Sequence, residues 1–172
     1  MSRIISTGET PAKKRHAHMR SCAEVLRLLA QRARFDSETQ DMAAFLVFNL
    51  RGIYETIDES AHAWDERNYW KKAETLREKW RWSRTYAASI EKALLAGRWT
   101  EVQTLLLELL PHFGGVTVTS ITRDADWWCG AFRALGNVRT LGRGTGDGRR
   151  ETGDRGRETG DGAGDGRRGG EL

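Results

Sequence analysis

Apolar residues crowd more than one face of the stretch that begins at Ser37, with Ala43, Ala44, Phe45, Leu46, Val47, Phe48 and Leu50 close together. They then narrow to a seam of Leu46, Leu50, Ile53, Ile57, Ser60 and Trp64 in steps of four and three. That pattern predicts one long helix over Ser37 to Glu66, and an element apolar nearly all round has to be surrounded by others. Ser37 with Gln40 has capping-box spacing at its start. Before it, Thr10 followed by Pro11 predicts a helix start, and Met19, Cys22, Leu26, Leu29 and Ala33 continue a helical seam to about Arg34.

After Asn68 a third helix follows, with Tyr69, Ala73, Leu76, Trp80, Ser83, Ala87, Ile90 and Leu94 in register and Gly97 as its stop. Thr100 and Gln103 repeat the capping spacing ahead of a short fourth helix carrying Val102, Leu105, Leu106, Leu109 and Leu110, ended by Pro111 and Gly114. Val116 to Ile121 is rich in β-branched residues, but no second strand is in prospect, so it reads as extended loop. A last helix from about Arg123 to Leu135, closed by Gly136, would turn Trp127, Trp128, Ala131, Phe132 and Leu135 inward. Short connections near Phe35 and Asn68 make neighbouring helices antiparallel. The expected fold is therefore all-α, an antiparallel bundle of four main helices plus a C-terminal fifth.

From Asn137 the composition shifts to Gly, Arg, Asp, Glu and Thr, and a Thr-Gly-Asp unit recurs at Thr145, Thr152 and Thr159. Without apolar residues such a segment cannot offset the entropy of ordering, so a disordered tail is expected. Eight Arg against seven acids leave it little field for phosphate. The division expected is a lead-in over residues 1–9, the bundle over 10–136 and the tail over 137–172.

The net charge of +4 in 172 residues is sorted by segment. From Ser2 to Arg34 eight bases face two acids, from Asp36 to Glu66 eight acids face one Arg, and from Tyr69 to Trp99 eight bases face three acids. An acidic central helix between basic ones can use much of that charge internally. Cys22 and Cys129 are far apart and no secretory hydrophobic region opens the chain, which fits a cytoplasmic protein. The apolar runs are too short for a membrane span.

Little in the chain points to catalysis. Glu59 and His62 have the Glu-x-x-His spacing of di-iron bundles, but no second copy exists and the seam sets both outward. His18 and Cys22 are one helical turn apart, with His16 nearby, yet Cys22 falls on the apolar seam, where a cysteine acts as a small hydrophobe. No phosphate loop, nucleophile elbow or dinucleotide fingerprint occurs. Neither enzyme activity, metal nor cofactor is expected.

The most informative feature is aromatic. Trp64, Tyr69, Trp70, Trp80, Trp82, Tyr86 and Trp99 are interleaved with Lys71, Lys72, Arg77, Lys79, Arg81 and Arg84. Trp64, Tyr69 and Trp80 fit a lock between the second and third helices, whereas Trp82 leaves the seam. Phe45 and Phe48 also exceed one seam; the expectation is that other helices cover them and that the Trp82 side meets a partner. Interaction candidates are Trp82, Glu78, Lys79, Arg81 and Leu95, in a small non-enzymatic helical interaction or assembly module that meets a protein or a second copy. The alternative is a nucleic-acid-binding module using Lys71, Lys79, Arg81, Arg84 and Trp82 as a basic face with one stacking ring.

Overall fold

A computed structural model describes residues 8–144, and over these the regular structure is helical without any strand. The order is α1 (Pro11–Leu29), α2 (Ser37–Asp65), α3 (Trp70–Leu95), α4 (Trp99–Leu109), a 3-10 turn (Leu110–Phe113), α5 (Ala125–Trp128) and α6 (Ala131–Gly144). The segment expected to be a disordered tail lies, after Gly144, outside the described residues.

The double-faced apolar run does what its pattern demands. Met42, Ala43, Ala44, Leu46, Val47, Leu50, Ile53 and Ile57 are all buried, and α2 packs against α1, α3, α5 and α6. Phe45 is half-buried and its ring lies 6.4 Å from that of Trp128, so α5 covers this patch from within the chain. Lys14 with Glu59 and His18 with Asn49 set α1 antiparallel to α2. Arg77 with Asp58 and Asp65, and Arg51 with Glu91, do the same for α3. The Asp65 hydrogen bond foremost raises the Arg77 pKa, since it favours the charged guanidinium.

Several helix ends differ from the sequence pattern. α1 begins as expected, with the Thr10 hydroxyl accepting from the Lys13 amide, but it stops at Leu29 because Ala33 has no core to enter. The chain turns there, and Phe35 stacks on Trp99 at 4.7 Å. The cap of α2 is Asp36 rather than Ser37: its carboxylate accepts from the Thr39 amide and the Thr39 hydroxyl from the Asp36 amide, both at 2.8 Å. This box closes one residue ahead of the Ser37 and Gln40 pair. The Thr100 and Gln103 spacing is likewise unused. Gly97, at φ 71°, ends α3, and the Arg98 amide reaches the Ala93 carbonyl at 2.9 Å, so α4 starts directly at Trp99.

Tyr69 does not join the expected aromatic lock. It is the N-cap of α3 and points outward, while Trp64 and Trp80 are half-buried.

The fifth helix is broken in two. Gly130 takes φ 79° after Trp128, and Asp41 of α2 accepts the Gly130 amide at 3.2 Å and the Phe132 amide at 2.9 Å, capping a new helix. α6 then passes through Gly136, with Leu135 fully buried, and runs to Gly144. The stretch before α5 is a loop without strand that bends at Thr119 and Ser120, with Val116 and Val118 half-buried against the core. Glu24 of α1 ties it down, and no solvent reaches that side chain. Its carboxylate accepts from the Thr122 amide at 2.9 Å, the Arg123 amide at 3.0 Å and the Thr122 hydroxyl, and pairs with Arg20 and Arg123.

Candidate interaction surface

Leu105, Leu106 and Leu107 turn through successive steps of about 100° on a helix, so three leucines in a row span more than one inward stripe. In α4 Leu106 and Leu109 enter the core, and Leu107 is left 68% exposed. Leu110, at the start of the 3-10 turn, is 42% exposed. Beside them a groove of about 260 Å³ opens between α1 and α4, walled by Leu26, Leu29, Trp99 and Leu106. It continues past Leu110 into a second depression of about 490 Å³ that reaches Phe113, Val116 and Val118. The indole N–H of Trp99 is buried in the groove wall without an acceptor among the described residues.

Arg32 is the charged side chain in the lining of this groove, and Arg27 that of the second depression. The α1 side carries Arg27, Arg32 and Arg34, with Arg32 paired to Glu38 at 2.7 Å and Arg27 donating to the Val118 carbonyl at 3.1 Å. The glutamates of α4 lie elsewhere: Glu101 pairs with Arg98 at 3.1 Å, and Glu108 accepts from the Tyr86 hydroxyl of α3.

The residues singled out in the sequence are not gathered on one face. Trp82 is half-buried: it stacks on His112 at 4.1 Å and meets Phe113 edge-on at 5.7 Å, so the 3-10 turn after α4 lies over it. Glu78 and Arg81 are exposed and pair with each other, and Lys79 is exposed. Leu95 is half-buried at the far end of α3, about 20 Å along the helix from Trp82 at the usual rise per residue. Of the basic set, Lys71 and Lys79 share a depression with Trp64. Arg84 instead leans over the Tyr54 ring of α2 at 5.5 Å, and Arg81 and Trp82 have the partners just described.

The metal-ligand spacings stay apart as well. Glu59 pairs with Lys14 and His62 with Glu66, all near the surface. His18 donates to the Asn49 side chain at 2.9 Å, and Cys22 is fully buried, which pushes its thiol pKa up. Among the described residues no group of three or more His, Cys, Asp or Glu side chains could hold a metal ion. No helix among them is long and apolar enough to cross a membrane.

Sequence reasoning missed the α1–α4 groove, although the leucine run held its signal. No family model matches the chain, and neither a curated protein nor a solved structure matches it.

Proposed function

We propose that this protein is a small non-enzymatic assembly module that self-associates through the groove between α1 and α4. The observation that carries this is the exposure of Leu107 and Leu110 directly beside an apolar groove. A surface that bears both apolar knobs and the depression next to them is complementary to itself under a two-fold operation. With the axis along the groove, the α1 side of one copy lies over α4 of the other. Leu107 and Leu110 would then form the apolar centre, within a rim holding Gln103 and Arg32.

A cytoplasmic location goes with this proposal, supported by two free cysteines, one buried and one exposed. The experiment is light scattering on the full chain over a concentration series, beside the variant Leu107→Glu. A wild-type dimer that the variant abolishes supports the proposal. A wild type monomeric at every concentration refutes it.

A further inference from the structure

The tip of the α2–α3 hairpin carries cations without counter-ions. Lys71, Lys72 and Lys79 are exposed, and none of them forms an ion pair among the described residues. Most acids nearby are engaged elsewhere: Asp58 and Asp65 hold Arg77, Glu66 pairs with His62, and Glu78 with Arg81. Glu74 lies round the helix from Lys72 and Lys79 and one turn from Lys71, with which it forms no ion pair among the described residues. The three lysines converge instead on a shallow depression of about 330 Å³ with Trp64, Thr75 and Leu76 in its lining.

Aromatic rings accompany these lysines in unusual exposure. Trp70 is 63% and Tyr69 54% exposed; the Lys72 ammonium stands 5.2 Å from the Tyr69 ring centre, whereas Trp70 lies on the Glu74 side of the helix. Flat rings beside uncompensated ammonium groups on an open surface match a ligand that alternates bases with phosphates. We propose that this tip binds single-stranded nucleic acid, with phosphates on Lys71, Lys72 and Lys79 and bases against Trp64 and Tyr69. The site differs from the basic face expected from sequence, since Arg81, Arg84 and Trp82 take no part. It is also separate from the α1–α4 groove, so the two proposals stand or fall independently.

The test is fluorescence anisotropy of a labelled oligothymidylate titrated with the full chain across a salt series. Each phosphate contact to a single strand contributes about 0.7 to the log–log salt slope, so three lysines give a slope of about −2. The triple variant Lys71→Ala, Lys72→Ala, Lys79→Ala should lose nearly all of that slope while keeping wild-type circular dichroism, because its side chains are exposed. Tyr69→Ala should weaken binding by about tenfold and leave the slope unchanged. Absence of binding at low salt overturns the proposal, as does a triple variant that retains the wild-type slope. Lysine-dependent binding to phosphatidylserine vesicles without binding to the oligonucleotide overturns it too.

Discussion

At the scale of single residues, Glu24 shows why a buried charge can be retained. Burial by itself would raise its pKa, but the amides of Thr122 and Arg123, the Thr122 hydroxyl and Arg20 outweigh that and leave it lowered. Replacing it by Ala leaves Arg123 and two amides facing an apolar gap, and removing one partner of a buried pair costs about 3–5 kcal/mol. Because the folded-state pKa lies below the unfolded one of about 4.3, the carboxylate's contribution is complete above roughly pH 5 and fades as pH falls through the folded value. Urea unfolding of wild type and Glu24→Gln should therefore show a gap at pH 7 that closes in acid. Gly52 offers a second residue-level test. A Cβ there would come within 2.5 Å of the His18 ring, which its bond to Asn49 holds in place. Gly52→Ala should lower stability by about 1–3 kcal/mol. In a His18→Ala background the same change should become neutral or favourable, since Ala exceeds Gly as a helix former by about 1 kcal/mol. Thermal unfolding of the four proteins in this cycle measures it.

At the scale of elements, Asp41 joins distant parts of the chain, serving α2 as a surface acid and α6 as its N-terminal cap. Asp41→Ala should destabilise the protein by about 1 kcal/mol, and hydrogen exchange should locate the loss in α6. This contact also explains what the sequence conceals. The long helices were legible because Leu46, Leu50, Ile53 and Ile57 repeat at helical spacing and all face the core. The break at Gly130 was not, because the cap that makes it favourable comes from α2 rather than from a neighbouring residue. Gly136 looked like a stop, but a glycine inside a helix costs only about 1 kcal/mol, and burial of Leu135 on the same helix outweighs it. Trp82, expected to face a partner, is instead covered by the 3-10 turn. Its neighbour His112 could not be found by periodicity, since it sits in a 3-10 turn outside any helical register. The groove beside Leu107 needed the ending of α1 at Leu29, which the continuing seam to Ala33 disguised.

At the scale of the whole molecule, the alternation of basic and acidic helices is used in part between helices, in the pairs from Lys14 to Glu59 and from Arg77 to Asp58 and Asp65. What remains outward is unevenly placed: lysines and aromatic rings at the hairpin tip, and leucines at the α1–α4 groove. Leucines are the part of that surface for which association provides burial, at roughly 25 cal/mol per Å² of apolar area removed from water. An acidic side chain at Leu107 would remain solvated in the monomer, so the fold should tolerate it, but would be desolvated in the centre of a dimer. The most direct measurement is sedimentation velocity of wild type and Leu107→Glu at matched concentrations, with melting temperature recorded for both. The expected result is a concentration-dependent dimer for wild type and a monomer of unchanged melting temperature for the variant. Equal association of the two proteins, or no association by wild type, would contradict a self-assembling groove.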